Sequence, residues 1–428
     1  MLSHTTRRGL TALSPIVVLL AVYLLGSIIA GDFYRIPIAV AFVVASVYAI
    51  AISCGRTLNE RIAIFSEGAA NPRIMYMVWI FVLAGAFAAS ARAMGAVDAT
   101  VSLTLAMIPA DFLPAGIFVA TCFISMSIGT SVGTIVALTP VVTGLAAQTG
   151  CDTAWLVAIV VGGAFFGDNL SFISDTTIAA TQTQGCSMRD KFRSNFKLVI
   201  PAAAATLAIY LFSGIDIAEI AAEVGGVEWL KIIPYLIVIV TALCGVNVLV
   251  VLLTGIVSTG IIGIADGAFD IVGLFAAMGE GIQSMCELII VTMIAGGLLE
   301  TVRRGGGIDF LVGLLTRRVS NRRGAEASIA ALTALSNLCT ANNTIAILTV
   351  GDIARDISQR FDIMPRRAAS LMDTISCFVQ GIIPYGAQLL MASGLAAVSP
   401  LAIIPHLYYP ICIGITVAVS IIIRRPRA

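Results

Sequence analysis

Leu198–Phe212, Ile232–Val257 and Leu401–Ile423 contain no Asp, Glu, Lys or Arg at all. Chains with several such runs have few ways to fold. Crossing a hydrocarbon core takes about 20 apolar residues in a helix. Barrel strands would instead alternate in polarity, which these runs do not do. Seven more apolar segments, Ala12–Ile29, Ile36–Ser53, Met75–Ala93, Phe112–Ser127, Trp155–Phe166, Leu288–Leu299 and Ala325–Leu338, complete the set, and several are too short to cross alone. The predicted class is an all-α polytopic membrane protein, consistent with 59% hydrophobic and only 11% charged residues.

The formal net charge of +1 gives no reason to expect nucleic acid or a strongly anionic partner. Basic residues gather at Arg7/Arg8, Arg56–Arg73, "RDKFRSNFK" (189–197), Arg303–Arg323, Arg366/Arg367 and the tail "RRPRA" (424–428). The positive-inside rule predicts that these face the cytoplasm, with both termini inside and the cell inner membrane as the location. The first apolar run is expected to be a retained helix rather than a cleaved leader, because many spans follow it. Nine cysteines without a C-x-x-C pair and only two histidines, His4 and His406, offer no soft-metal or redox site. No cofactor is expected.

Self-comparison finds a repeat. "AGAFAASARAMGAVDATVSL" (84–103) lies over "AGGLLETVRRGGGIDFLVGL" (295–314), and "TSVGTIVALT" (130–139) over "TANNTIAILT" (340–349). The loop after the second copy's first helix is densely basic, whereas the equivalent region of the first carries Arg92 beside Asp98 and Asp111. Opposite sidedness follows, as in secondary transporters built from inverted repeats with broken helices and re-entrant hairpins. The predicted organisation is accessory N-terminal helices over 1–73, a first repeat over 74–195, connecting helices over 196–270 and a second repeat over 271–428. Ala96–Met107 and Ile308–Val319 are expected to lie along the membrane interfaces. Asp98 and Asp309 are expected to cap helices.

Each copy holds two stretches unsuited to helix interiors: "SIGTSVGT" (127–134) and "GDNLSFIS" (167–174), then "TANNT" (340–344) and "QGIIPYG" (380–386). Backbone groups freed by a break survive in lipid only where protein or water surrounds them, so the breaks are expected to face one polar cavity. Candidate lining groups are Thr130, Ser131, Thr134, Asn342, Asn343 and Thr344. Asp168 and Asp175 stand seven residues apart on one helical face, with Ser171 and Ser174 between them. Hard cations prefer such oxygens, and a proton competes for the same carboxylate. Asp373, which aligns with Gly163 at an offset of 210, is a candidate from the other copy, whereas Glu300 should pair with Arg303 and Arg304. "GTSVG" (129–133) formally fits a nucleophile elbow around Ser131, but an apolar helical setting and the lack of a nearby base argue against an enzyme.

"GDNLSFISDTT" (167–177) resembles the signature of the NhaC-type sodium/proton antiporter family, and "GTSVGT", "GIIPYG" and "SPLAIIPHLYYP" (399–410) resemble its companion motifs. The similarity extends from about Met75 to Ile423. It implies an ion-transporter-like fold with Asp168, Asn169, Ser171, Ser174, Asp175, Thr176 and Thr177 lining the ion site, Asp168 and Asp175 holding Na⁺, and Tyr385 at the second break. Where that family often has a lysine and a proline in the signature, this chain has Asn169 and Phe172, and Tyr385–Gly386 replace a tryptophan and asparagine. The function implied is exchange of cytoplasmic Na⁺ for external H⁺, with coupled transport of a small organic acid or amino acid as the alternative. Expected partners are Na⁺, H⁺, the lipid bilayer and a second copy in a homodimer.

Overall fold

A computed structural model of the chain describes residues 4–30, 38–54, 57–107, 109, 112–128, 130–171, 174–213, 228–244, 246–316 and 321–423. Every regular element among them is helical, and the elements come in two matching series. The first is α1 (His4–Ala30), α2 (Ile38–Ile52), α3 (Leu58–Ala69), α4 (Pro72–Met94), α5 (Ala96–Met107), α6 (Leu113–Ile128), α7 (Ser131–Thr149), α8 (Thr153–Leu170), α9 (Asp175–Gln184) and α10 (Met188–Phe212). The second is α11 (Trp229–Leu243), α12 (Val248–Ala265), α13 (Ile271–Ser284), α14 (Cys286–Arg304), α15 (Gly307–Thr316), α16 (Arg322–Thr340), α17 (Asn343–Arg360), α18 (Pro365–Ile382), α19 (Ala387–Ala396) and, opposite α10, the bent pair α20 (Pro400–Ile403) and α21 (Tyr408–Ile423). Among the described residues six helical stretches are long and apolar enough to cross a membrane, or up to eight when each of two bent pairs is taken as one span.

Packing repeats along with order. α4 lies on α12 and α13 as α14 lies on α2 and α3; α6 and α7 pack on α8 as α16 and α17 pack on α18. Contacts also cross between the series, with α19 on α7 and α9 on α17. Where α4 crosses α13, Gly85 and Gly281 face each other so closely that a Cβ on either would strike the other's carbonyl; Gly296 on α14 and Gly68 on α3 form the same crossing. Small residues let membrane helices approach to backbone contact, so this is a place where sequence dictates packing. The correspondence runs past the copies expected at 74–195 and 271–428: α3, expected among accessory helices, and α13, at the start of the second copy, occupy equivalent places against α14 and α4.

Several expectations are revised locally. Ile232–Val257 is two helices, because Asn247 caps α12 by accepting the Leu249 N–H at 2.9 Å and ends the run. Asp98 and Asp309 sit inside the first turns of α5 and α15, while the turn before each helix is made by Gly95 and Gly306, both at φ 84°, where a side chain would be strained. α5 packs on α7 and α11, and α15 on α1 and α16. Glu300 takes bonds from Arg303 Nε at 2.8 Å and Arg304 Nε at 2.7 Å, as its spacing predicts. Asp111, Gly129, Phe172, residues 317–320 and the basic tail lie outside the described residues.

Candidate functional site

α8 stops at Leu170, and the chain is extended at Ser171 and Ser174 before α9 starts at Asp175. The break frees carbonyls that a continuous helix would satisfy, and side chains take them over. Ser174 Oγ donates to the Asp168 carbonyl at 2.8 Å, with Thr176 Oγ1 at 3.3 Å and Thr177 Oγ1 at 3.4 Å from the same oxygen. Ser174 also caps α9 by accepting the Thr177 N–H at 3.2 Å. The hydroxyls of the signature thus gather on the backbone of Asp168, leaving its carboxylate to other groups. Ser171 is buried at the end of α8, its N–H donating to Gly167 O at 2.7 Å.

The Asn169 carbonyl is held by two side chains of α10: Lys191 Nζ at 2.9 Å and Asn195 Nδ2 at 2.8 Å. Lys191 is 1% exposed and fills all three donor positions, reaching Thr177 Oγ1 at 2.6 Å and Asp373 Oδ2 at 2.7 Å as well. Asn195 Nδ2 also donates to Asp373 Oδ2 at 2.7 Å, and Asn169 Nδ2 donates to the Tyr409 hydroxyl at 3.1 Å. Lys191, counted in "RDKFRSNFK" among the basic residues expected to face the cytoplasm, is instead buried in this cluster. It also restores a cation beside Asn169, where the family signature often has a lysine. Asn169, Asn195 and Asp373 each keep one buried side-chain oxygen without a hydrogen-bond partner among the described residues.

Asp168 is 4% exposed, and its carboxylate Oδ1 accepts the Ser131 N–H at 3.0 Å, from the first turn of α7. No Lys, Arg or His lies within ion-pair distance of it among the described residues. Asp373 and Asp175 are both within electrostatic range. A chain of amides joins this acid to the second copy: Gln388 Nε2 donates to Ser131 Oγ at 3.0 Å, and Gln380 Nε2 to both Gln388 Oε1 and the Ala341 carbonyl at 2.8 Å.

The expected residues divide into three groups. Asp168, Asn169, Ser174, Thr176, Thr177, Ser131 and Asp373 belong to one hydrogen-bonded cluster. Asp175 is exposed at the start of α9, so the two signature acids occupy different surroundings. The others make local bonds. Thr130 precedes α7 without a side-chain cap bond, and Thr134 Oγ1 returns to Thr130 O at 3.0 Å. Asn342 caps α17 through the Ile345 N–H at 3.0 Å, and Asn343 Oδ1 accepts the Thr344 N–H at 3.0 Å. Tyr385 donates to Leu338 O at 2.8 Å and packs edge-on against Phe42.

Lys191, Asn195, Gln380 and Tyr409 were not singled out from sequence, and Gln388 was expected only to hold a carboxylate in the organic-acid alternative, though two signals pointed to four of the five. Lys191 and Asn195 begin a buried stripe that Leu198, Ala202, Thr206 and Tyr210 continue at helical spacing. α9 and α19 begin 212 positions apart, as do α8 and α18. At that register Gln380 is the counterpart of Asp168 and Gln388 of Thr176, and the earlier alignment of Asp373 with Gly163 shifts by two residues. The same register maps the Ser125 Oγ to Ala164 O bond, 2.7 Å, onto Asn337 Nδ2 to Ser376 O, 2.6 Å.

Both halves match one sequence family, described as the Na⁺/H⁺ antiporter family, over residues 8–215 and again over 218–424. The chain belongs to that family. It is 25% identical to the Na⁺/H⁺ antiporter NhaC of Alkalihalophilus pseudofirmus, over 72% of this chain and 73% of that protein. The NhaC of Bacillus subtilis is 24% identical over 82% of this chain and 83% of its own length. A malate-2H⁺/Na⁺-lactate antiporter of Bacillus subtilis is 22% identical over 95% and 94%. Membership makes this chain a multi-pass membrane transporter rather than an enzyme, and the relatives' names span both inorganic and organic cargo.

Proposed function

We propose that this antiporter-family member exchanges cytoplasmic Na⁺ for external H⁺ at Asp168. One observation carries the reading: among the buried charges of the cluster, Lys191 is taken by Asp373, so Asp168 is an acid left without a cation of its own. A carboxylate in a low-dielectric interior needs compensation, and either a proton or a sodium ion supplies it, but not both at once. Buried oxygens on Asn169, Asn195 and Asp373 are ligands of the hard, neutral or anionic kind that Na⁺ accepts. Asp175, at the exposed start of α9, draws cations toward the break. On this reading the two series are inverted copies, both termini are cytoplasmic, and the site faces one side of the membrane at a time.

Na⁺-driven proton flux in proteoliposomes tests this. Flux without any organic solute, lost in Asp168→Asn with the protein still inserted, is the expected result; unchanged flux in that variant removes Asp168 from the site. A second reading, exchange of a small organic acid, rests on Asn343 Nδ2, a buried donor with no acceptor among the described residues. A strict requirement for malate, lactate or an amino acid in the flux assay would select it.

A further inference from the structure

We propose that the cleft between α10, the start of α18 and the end of α21 binds an anionic phospholipid by its headgroup phosphate. The cleft has a volume of about 800 Å³ and lies apart from the Asp168 cluster, on the outer side of α10. Arg193 and Lys197, four residues apart on one face of α10, and Arg366 in the first turn of α18 line it. All three are exposed, and none has a carboxylate within ion-pair distance among the described residues. Arg367 closes the floor. It is buried, and its guanidinium is fixed by Glu326 Oε2 at 2.9 Å and Ser420 Oγ at 2.9 Å, so its charge is already compensated. The one acid on the lining, Asp190, accepts from Ser187 Oγ at 2.8 Å within the α10 cap. Three cations facing one space, against one acid, make a site for an anion. The first turn of α18 carries no acid.

Apolar groups beside those cations choose a lipid over a free anion. Phe196 is 47% exposed and Met364 37% exposed on the same cleft. Ile200 on α10 and Ile415 and Val419 on α21 leave further exposed apolar surface along the stretches of the two helices that lead away from it into the apolar runs. A soluble phosphate gains nothing from these side chains, whereas acyl chains below a phosphate cover them. The cations fall at the end of the apolar run Leu198–Phe212, where a headgroup would sit.

Purified protein is mixed with phosphatidylglycerol or with phosphatidylcholine of the same acyl chains, and retained lipid is counted by native mass spectrometry. Phosphatidylglycerol is expected to be retained preferentially, and each of Arg193→Gln, Lys197→Gln and Arg366→Gln to lower that preference about fivefold. The charge-conserving Arg193→Lys and Lys197→Arg variants should keep it, which separates loss of charge from loss of fold. Equal retention of the two lipids, or an undiminished preference in the triple glutamine variant, overturns the proposal. So does thermal stabilisation by inorganic phosphate equal to that by phosphatidylglycerol, which would make this a soluble-anion site.

Discussion

α8 and α18 end alike and carry different chemistry. The residue after each helix is extended, Ser171 at φ −67°, ψ 141° and Ile383 at φ −81°, ψ 125°. The caps of the next helices, Ser174 and Gly386, agree within a degree, at φ −70°, ψ 143° and φ −71°, ψ 144°. Yet the position of Asp168 in one is Gln380 in the other, and Thr176 becomes Gln388. The interrupted backbone therefore does not depend on a charge. In the first copy hydroxyls, Lys191 and Asn195 serve the freed carbonyls; in the second, the Gly386 N–H takes Ile383 O, the Gln380 amide joins Gln388 across the break, and the same amide reaches Ala341 O at the end of α16. A break can be built from neutral amides, so the carboxylate of Asp168 is free for something other than holding the break together.

The largest effect should come from making the copies alike. Asp168→Asn puts an amide in both, and Na⁺-driven proton flux is expected to fall to the level of empty vesicles while thermal unfolding in detergent changes little. Next is the ion pair that joins Lys191, beside the first copy's break, to Asp373 on α18. Asp373→Asn strands the Lys191 ammonium in the interior and should cost about 3–5 kcal/mol in unfolding free energy. Lys191→Met combined with Asp373→Asn should recover most of that, giving a strong coupling in a double-mutant cycle.

Gly167 is a third point of contrast. A Cβ there would strike Ser125, whereas its counterpart at the 212-residue register is Val379. Gly167→Ala should therefore cost about 1–3 kcal/mol, read as a lowered unfolding midpoint, and the Val379→Ala change should not reproduce the clash. Smaller still is Asp175→Asn: its charge is exposed and partly screened, so the Na⁺ concentration for half-maximal flux should rise only about two- to fivefold. Least of all, Ser125→Ala and Asn337→Ala each remove one of the two matching side-chain-to-carbonyl bonds, with about 1 kcal/mol expected for each. If either exceeds the loss in Gly167→Ala, the parallel between the copies is weaker than the geometry indicates.

Much of the frame was legible. Apolar runs without charges leave little besides membrane helices, and Gly, Asn, Ser and Pro within them mark breaks because each disfavours a helix interior. The repeat was visible where identical residues survived, at Gly85 with Gly296, but not in α1–α3 and α11–α13, where matching depends on helix length and packing rather than on side-chain identity. Lys191 was misread for a physical reason: a lysine in a basic stretch looks solvated until the partners that fill its three donor positions are known, and Asp373 lies 182 positions away.

By itself, then, the sequence determined that this chain is a bundle of interrupted membrane helices built twice, and that Asp168 stands at a break. Only the tertiary structure decided which charges cancel. Hydrophobicity and helix propensity act over neighbouring residues and can be read along a line, whereas compensation of a buried charge depends on distances between segments far apart in the chain. Folding brought Lys191 to Asp373 and left Asp168 without a cation among the described residues, and that pairing separates the acid that holds the structure together from the acid proposed to carry the ion.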